Sequence, residues 1–556
     1  MNESVKIIPL GGYGEIGKNM TIIEYRKTMI MIDAGILFPS SYFPGIEYII
    51  PDITYVKQNI EKFAAIIVTH GHEDHIGAIP YILEEVGNPP IYAKRLSIEL
   101  IKKKLTDHDI TNAEFVTVTP EKTIYQIKDM FVEFIHVNHS ILDASAILIK
   151  CGTKKIFFTA DFKMDYTPIN EPFIDLHRIA AVGKEGVDVL IVDSTNAERP
   201  GMSYSERIVG LEIDDIVSKL NGRVIIATFA SNISRIIQIL AVAKKYNRKI
   251  VIEGRSLRTV IDIAAELGYI DLHGIEFISL KEIASYRDFE VLFLVTGSQG
   301  EPLSVLQRIS QHMHSQIKVK NTDTVLISAK VIPGNEMHIN KMINNLFKLG
   351  ADVYYENISE IHVSGHASQE EIKLLANLVK PKYIIPYHGE YKNMIAIRRL
   401  MGQMGYADHQ VFLIENGTVF TINDKKAYIE KDIIPYGKHF IENNDIGFID
   451  ENVIQDRKRI GEEGAVFLVF SFIPKNGDII FGPEIAYAGI QCDESVTQSI
   501  AARLQDILAS LEDEEKDDME TLKTIIERRL RRFLKKSIGK EPLVVAYILE
   551  SNDYIK

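Results

Sequence analysis

The segment His70-Gly71-His72-Glu73-Asp74-His75 constrains the fold of this chain more than any other feature of its sequence. It follows the apolar run 64–68, which has the composition of a buried strand. Three imidazoles and two carboxylates, with four potential metal ligands among them, thus occur within six residues at a strand end, and the glycine lets the backbone bend tightly between them. A polar loop with incidental histidines is the alternative. A cluster this dense after an apolar strand instead indicates metal binding.

Further candidate ligands stand where later apolar runs end. His139 follows FVEFIHVN, Asp161 follows KKIFFTA, and His388 follows YIIPY. With these residues the chain has enough ligands for two ions, so the sequence predicts a binuclear centre. Its seven predicted ligands, five histidines and two aspartates, are His70, His72, Asp74, His75, His139, Asp161 and His388.

The seven ligands divide into two sets. One set is His70, His72 and His139, the other is Asp74, His75 and His388, and Asp161 and a hydroxide bridge the two ions. Zinc is the expected metal for a site rich in imidazole, with manganese as an open alternative.

Composition limits the remaining choices. The chain has 556 residues and only two cysteines, Cys151 and Cys492, which excludes a disulfide framework and a cysteine-rich zinc module. The charge is −13, from 63 basic and 76 acidic residues, so bulk charge does not indicate a polyanion partner. The sequence shows neither a signal peptide nor a membrane span, and a cytoplasmic location is the default expectation.

The motif Gly12-Tyr13-Gly14-Glu15-Ile16-Gly17 fits the G-x-G-x-x-G pattern of dinucleotide-binding proteins. That function requires a helix after the third glycine, with its N-terminus at the pyrophosphate. The residues that follow, KNMTIIEYRKTMIMIDAG, lack a helical apolar stripe. A glycine-rich β-hairpin is the better prediction.

Periodicity divides the chain into segments. Short strands and turns fill residues 1–204, strand–helix alternation typical of a parallel sheet fills 205–356, and histidine-bearing strand–helix units return in 357–435. The middle segment, 205–356, is therefore predicted to be an insertion. A charged linker is predicted over 436–461 and a small α+β domain over 462–556, with helices at about 495–511 and 519–537.

The pattern of motifs resembles the metallo-β-lactamase superfamily, specifically its nucleic-acid-processing β-CASP branch and the bacterial ribonuclease J family within it. The motifs that carry the resemblance occur in the family's order: GGYGEIGKN (11–19), THGHEDHIGAIPY (69–81), NHS (138–140), TADFKMD (159–165), DSTNAERPG (193–201), FASN (229–232), TGSQGEP (296–302), IPGNE (332–336), HVSGHAS (362–368) and PYHGEY (386–391). The implied fold is an α/β metallo-β-lactamase αββα sandwich with an inserted α/β β-CASP domain and a small α+β C-terminal domain.

The resemblance implies a zinc-dependent ribonuclease. It would remove nucleotides from the 5′ end of 5′-monophosphorylated RNA, cut internally as well, and act in mRNA decay and rRNA maturation through attack of a metal-bound hydroxide on the phosphodiester. Implied partners are RNA, further copies of the chain in a homodimer or homotetramer formed through the C-terminal domain, and RNA-degradosome proteins.

Two segments are expected to bind substrate. Ser368 and Glu371 form a predicted capping box, so the residues before them precede a helix N-terminus that favours an anion, and FASN precedes a helix in the same way. Ordinary helix caps are the alternative. The resemblance implies a phosphate and nucleotide pocket formed by Ser231, Asn232, Ile233, His362, Val363, Ser364, Gly365 and His366.

Three residues are expected to serve catalysis. Asp74 would bind metal and orient the hydroxide, while the resemblance implies that His366 assists the leaving oxygen and that Asp193 orients it. Asp33 would support the site without binding metal. The family's calcium-type site would need Glu47 and an acid beyond residue 440, for which the segment 442–452 has no clear counterpart, so that site is doubtful.

Two other functions remain open on the sequence. The same centre could act on DNA or on a small ester or thioester, although a small substrate would not need the inserted segment of about 150 residues. A binding paralogue without catalysis is the third hypothesis. Such a chain should lack ligands, and this one has all seven.

Overall fold

The computed structural model describes residues 4–39, 43–119, 124–299, 304–331, 335–356, 359, 361–431, 433–442, 449–473, 477–512, 515–516 and 518–549. The chain folds as two compact units. The first comprises Met1–Phe38 and Tyr48–His439, and the second comprises Pro39–Glu47 and Phe440–Lys556.

Two β-sheets form the centre of the first unit. In spatial order, the strands of the eight-stranded sheet are Ala427–Ile429, Phe420–Ile422, Val5–Gly11, Met20–Tyr25, Thr28–Ile32, Phe63–Ile67, Ile91–Ala93 and Phe115–Thr117. Those of the six-stranded sheet are Tyr383–Tyr387, Val189–Asp193, Lys154–Phe158, Ser145–Cys151, Met130–His136 and Ile124–Ile127.

The two sheets pack face to face through one apolar core. Ile23 and Ile67 of the first sheet share this core with Ile149 and Ile385 of the second. A further core lies between the outer face of the six-stranded sheet and helices such as Gln369–Val379. The helices of this part are Thr54–Gln58, Glu73–Ile76, Ile79–Ile82, Arg95–Asp107, Leu176–Glu185, Gln369–Val379 and Tyr391–Gln403, with 3₁₀ turns at Ile60–Lys62 and Asp408–Gln410. This arrangement confirms the predicted sandwich.

The glycine-rich segment is a connection between two antiparallel strands. Val5–Gly11 pairs with Met20–Tyr25, and the chain passes from Gly17 to strand Met20–Tyr25 without forming a helix. Tyr13–Gly14 forms a short parallel ribbon with Gly389–Glu390. The hairpin prediction is therefore confirmed, and the dinucleotide site is excluded because it needs a helix at this point.

The inserted segment contains its own parallel sheet. The strands are, in spatial order, Lys249–Glu253, Val291–Val295, Val224–Thr228, Thr324–Ser328 and Asp352–Tyr354. Helices Glu206–Ser218, Ile233–Lys245, Arg255–Glu266, Val305–Ser310 and Glu336–Lys348 and the 3₁₀ turns Ile283–Ser285 and Asp288–Glu290 complete this part. All five strands run parallel, as the strand–helix alternation predicts.

The second unit is a three-stranded sheet with helices on one face. In spatial order its strands are Ile479–Ala488, Ala465–Phe472 and Leu543–Ile548, and the helices Glu494–Ala509 and Met519–Ile538 agree with the predicted ones. The prediction for 436–461 is corrected, because helix Glu451–Glu463 occupies much of this supposed linker. This helix has few apolar residues, so the hydrophobic periodicity of the sequence does not predict it. Short strands also occur at Tyr48–Pro51 and Lys438–Ile441.

Two further expectations concern the whole chain. Among the described residues, no helix has both the length and the apolar composition needed to cross a bilayer. The proposed calcium-type site depends on the segment 442–452, of which residues 443–448 lie outside the described part of the chain.

A mostly buried carboxyl next to the six-stranded sheet gives a pH-dependent prediction. Burial raises the pKa of Glu171 to about 8, and its Oε2 finds no hydrogen-bond partner among the described residues. The folded state therefore favours the protonated carboxyl. Its contribution to the free energy of unfolding is complete below about pH 4.5 and is lost as pH rises through about 8. Glu171→Gln cannot ionise, so we expect its advantage in unfolding free energy over the parent to grow by about 2–4 kcal/mol between pH 5 and pH 9.

Thermal unfolding of both proteins across this pH range measures the effect, with the exposed Glu84→Gln as control. A stability difference that stays constant with pH would contradict the assignment.

Candidate metal centre

The strands place the predicted ligands at one edge of the sandwich. His70 and His72 follow Phe63–Ile67, His139 follows Met130–His136, and His388 follows Tyr383–Tyr387 directly. Gly71 is packed so closely that a Cβ there would lie 2.7 Å from Leu100. Small size at this position, together with the turn before helix Glu73–Ile76, brings side chains that are distant in sequence together.

Three histidines form the first cluster, His70, His72 and His139. His72 Nδ1 lies 3.1 Å from His70 Nε2 and 3.1 Å from His139 Nε2. His139 Nδ1 donates a hydrogen bond to the Gly365 carbonyl at 2.6 Å, so its Nε2 presents a lone pair to the cluster. Converging nitrogen lone pairs fit a divalent cation with imidazole preference.

The second cluster contains Asp74, His75, Asp161 and His388. His388 Nε2 lies 3.1 Å from Asp74 Oδ2, and His75 Nε2 lies 3.2 Å from Asp161 Oδ2. The other nitrogen of His75 hydrogen-bonds Asp33 at 2.7 Å, and Asp33 belongs to neither cluster. Asp33 thus has the supporting position that the sequence predicts.

Asp161 lies between the clusters. Its Oδ1 is 3.1 Å from His388 Nδ1, and its Oδ2 is 3.7 Å from His139 Nε2 and 3.9 Å from His70 Nε2. The hydroxyl of Tyr387 donates to Oδ1 at 2.8 Å. One buried carboxylate therefore faces ligands of both clusters, the position that a bridging ligand requires.

The electrostatics of the two clusters differ. Burial and neighbouring imidazoles lower the pKa of His70 and His139 well below the ordinary value, and burial lowers that of His72 to about 4. Burial opposes protonation in the second cluster too, yet Asp161 and Asp74 raise the pKa of His388 to about 10. Its imidazole therefore carries a proton that a cation would have to replace, because metal ligands bind in their deprotonated form.

His366 stands beside the two clusters. Its Nδ1 lies 2.7 Å from Asp193 Oδ2 and 3.9 Å from Asp161 Oδ2. Asn196 fixes the backbone here, because its amide donates to the His366 carbonyl at 3.0 Å and to Ser364 Oγ at 2.7 Å. The hydrogen bond to Asp193 leaves the other imidazole nitrogen available for proton transfer.

The predicted substrate-binding residues occupy different environments. The side chains of Ile233 and Val363 are buried in an apolar core, so only their backbone groups could contact a substrate. The capping box at Ser368 and Glu371 is confirmed. Asn232 caps helix Ile233–Lys245, because its side chain accepts from the Arg235 N–H at 2.9 Å.

The neighbouring residues Ser231, His362 and Ser364 are each half-buried. Gly365 must be glycine, because a Cβ there would lie 2.8 Å from the ring of His139. Cationic groups influence the histidine at 362. Burial lowers its pKa well below the ordinary value, and Arg235, Lys330, Lys163 and Arg199 act in the same direction. Its Nδ1 is buried without a hydrogen-bond partner among the described residues.

Several residues that support the site are not predicted from the sequence. Asn19 donates to the Asp74 carbonyl at 3.1 Å, and Thr195 donates to the His388 carbonyl at 2.7 Å. Arg199 and Lys330 form part of the cationic surroundings of His362. Asn19, Thr195 and Arg199 lie in GGYGEIGKN or DSTNAERPG, so the only signal for them was membership of a motif.

The arrangement as a whole supports hydrolysis of an anionic substrate. His and Asp side chains are positioned to bind metal, a His–Asp pair adjoins them, and basic groups lie close by. Metal ions in such a setting act as Lewis acids and lower the pKa of bound water.

Four protein-family models match the chain. They are the metallo-beta-lactamase superfamily over residues 13–194, the beta-CASP domain of ribonuclease J over 221–346, the Zn-dependent metallo-hydrolase RNA specificity domain over 350–413, and the ribonuclease J C-terminal domain over 452–551. They confirm the predicted fold class of a metallo-β-lactamase domain with a β-CASP insertion and a C-terminal domain. The boundaries predicted at 204, 356, 435 and 461 stay predictions.

Similar proteins agree with these models. Ribonuclease J from Helicobacter pylori strain 26695 is 38% identical over 98% of this chain and 79% of its own, and ribonuclease J 1 from Streptococcus pyogenes is 38% identical over 98% and 97%. Ribonuclease J2 from Bacillus subtilis is 35% identical over 99% of both. A solved protein of unknown function from Enterococcus faecalis shares the fold, with a TM-score of 0.52 and 14% identity over 75% of this chain and all of its own. The chain belongs to the ribonuclease J family.

Proposed function

We propose that this protein is a metal-dependent ribonuclease that degrades 5′-monophosphorylated RNA from its 5′ end and also cuts RNA internally. Its roles would be mRNA decay and rRNA maturation. The observation that carries the proposal is the pair of ligand clusters that meet at Asp161, beside the hydrogen-bonded pair His366 and Asp193. Two zinc ions are the proposed cofactors, with manganese as the alternative.

The ligand sets follow from the two clusters. His70, His72 and His139 would hold one ion, and Asp74, His75 and His388 the other, with Asp161 between them. When bound, two divalent cations supply Lewis acidity and a water of lowered pKa. The protein holds these ligands in place through Asp33, Tyr387 and Gly365.

Proton transfer to the leaving 3′-oxygen is the role proposed for His366. Asp193 orients the imidazole through the contact at 2.7 Å, and Asn196 fixes the backbone that carries it. A positioned imidazole near neutral pH is well suited to protonate a departing alkoxide. Asp74 would both bind metal and help to orient the attacking water.

The cationic surroundings of His362 support a pocket for the terminal phosphate. Arg199, Lys330 and Lys163 lie near this imidazole, whose Nδ1 has no hydrogen-bond partner among the described residues. A phosphate would supply further negative charge and acceptor atoms. Ser231 and Ser364 would add hydroxyl contacts.

The same pocket gives a prediction about 5′-end preference. Arg199→Ala and Lys330→Ala are each expected to raise KM for 5′-monophosphorylated RNA about tenfold, because hydrogen bonds to charged groups are worth about 1.5–3 kcal/mol. KM for RNA with a 5′-hydroxyl should change little. Lys219→Ala removes an exposed lysine directly after helix Glu206–Ser218 and is the control. Equal losses on both RNAs would show that these cations bind the RNA strand and not its end.

Digestion of 3′-labelled RNA tests the proposal as a whole. The RNA carries a 5′-monophosphate, 5′-triphosphate or 5′-hydroxyl and is incubated with and without chelator. We expect chelator-sensitive release of nucleoside 5′-monophosphates, fastest from the monophosphorylated RNA. DNA of the same sequence tests the alternative substrate. Degradation that continues in chelator, or that begins at the 3′ end, would contradict the proposal.

Assembly and location complete the proposal. We infer a homodimer or homotetramer that forms through the C-terminal domain, association with RNA-degradosome proteins, and a cytoplasmic location. Sedimentation of the full chain and of a chain ending at residue 440 measures the first of these. If both chains form assemblies with the same number of subunits, the subunit contacts lie outside the C-terminal domain.

A further inference from the structure

A cavity of about 210 Å³ lies in the first unit, next to the loop that carries His388. Tyr13–Gly14 pairs in parallel with Gly389–Glu390, the two residues that follow His388, and the His388 N–H donates to the Gly12 carbonyl at 2.7 Å. The cavity is lined by residues 13–15, 391, 415, 416 and 436. None of these lining residues belongs to either ligand cluster or to the cationic surroundings of His362.

The floor of the cavity is a fixed polar network. Asn416 Oδ1 accepts from the Tyr13 N–H at 3.3 Å, and Asn416 Nδ2 donates to Glu15 Oε1 at 2.6 Å. Glu15 also forms an ion pair with the buried Lys18 at 2.5 Å. Both ends of the Asn416 amide are therefore engaged, so the floor keeps its shape without a ligand.

Two tyrosines form the exposed walls. Tyr391 is 51% exposed and Tyr436 is 52% exposed. The ring of Tyr436 packs directly on Gly417, where a Cβ would lie 2.2 Å from the ring. Among the described residues, neither phenol hydroxyl nor the carboxylate of the neighbouring Glu415 has a hydrogen-bond partner. The walls thus offer aromatic faces and free polar atoms at one opening.

We propose that this cavity binds a nucleobase of the RNA strand engaged at the metal centre. Aromatic faces stack on bases of any sequence, and the carboxylate of Glu415 would accept from exocyclic amino groups while repelling phosphate. The volume is below the 300–1,000 Å³ typical of sites for larger ligands and suits one planar ring system. The inference rests on the proposed ribonuclease function and assigns part of the path of its substrate.

Stopped-flow fluorescence before the first turnover tests the proposal, with single-stranded RNA that carries 2-aminopurine at successive positions. The chain has no tryptophan, so the probe can be excited without interference from that residue. We expect quenching at one position or two adjacent positions, and loss of this quenching in Tyr391→Ala and Tyr436→Ala with about tenfold weaker binding. The phenylalanine variants at the same positions should retain both.

Tyr428→Ala, which removes a half-buried tyrosine from strand Ala427–Ile429, is the matched control and should behave as the parent. Parent-like quenching and affinity in both alanine variants, with RNA cleavage intact, would overturn the cavity assignment alone. Quenching of free 2-aminopurine riboside but not of the RNA would overturn it as well, in favour of a nucleoside site. A parent protein that neither binds nor cleaves RNA would instead refute the ribonuclease function.

Discussion

Replacing Asp161 by asparagine is expected to abolish RNA cleavage and to lower the metal content of both sites. Its two oxygens lie within 3.1–3.9 Å of nitrogens from four predicted ligands, so loss of the negative charge affects both clusters at once. Metal catalysis supplies several kcal/mol of transition-state stabilisation, so we expect a rate loss of at least about a thousandfold. Metal analysis of the purified variant and single-turnover cleavage are the measurements.

The matched control is Asp215→Asn, which removes an exposed carboxylate from helix Glu206–Ser218. It should keep the metal content and cleavage rate of the parent. An Asp161→Asn protein that is folded, fully loaded and active would show that this carboxylate does not join the two sites.

His366→Ala is expected to lower the rate of cleavage by about 10²–10⁴-fold, the range of general acid catalysis, and to leave the metal content unchanged. The proposed role predicts a selective rescue. RNA with a bridging 3′-sulfur at the scissile bond has a leaving thiolate that needs no proton, because a thiol has a pKa of about 8.5. The variant should therefore cleave this substrate at a rate close to that of the parent.

Asp193→Asn should give a smaller loss, with the same rescue, because Asp193 acts through the imidazole. The exposed His409→Ala is the control. If His366→Ala is equally impaired on the sulfur and oxygen substrates, His366 binds or positions RNA and does not transfer the proton.

The sequence predicts much of the centre because its chemistry is encoded locally. Four of the seven ligands stand within His70–His75, and the other three follow apolar runs whose ends must meet once the strands pair. The hairpin at Gly12–Gly17 could also be predicted from the sequence, since a dinucleotide site would have required a helix after it.

The residues that support the ligands could not be predicted from the sequence in this way. Thr195 and His388 are 193 positions apart, and only the parallel pairing of their strands brings them into contact. The burial of Ile233 could not be predicted either, because a position after a helix-capping residue does not reveal that the side chain lies in a core. Helix Glu451–Glu463 was missed for a third reason, since few apolar residues mark its buried face.

Net charge was also a poor guide to the partner. The total of −13 argues against RNA, yet four cationic groups act on His362. Acidic residues elsewhere in the chain determine the sum, whereas binding depends on the local potential. A low overall attraction to RNA agrees with an enzyme that selects a free 5′ end, because non-specific binding follows the total charge contacts with phosphate.

Titration of metal-free protein with zinc tests whether cleavage depends on two metal ions held by the two ligand clusters. Bound metal and RNA cleavage are measured on the same samples, for the parent and for His72→Ala. We expect parent activity to reach its maximum at two ions per chain, and His72→Ala to retain about one ion and lose cleavage. Full activity of the parent with one ion, or cleavage by His72→Ala at the parent rate, would contradict it.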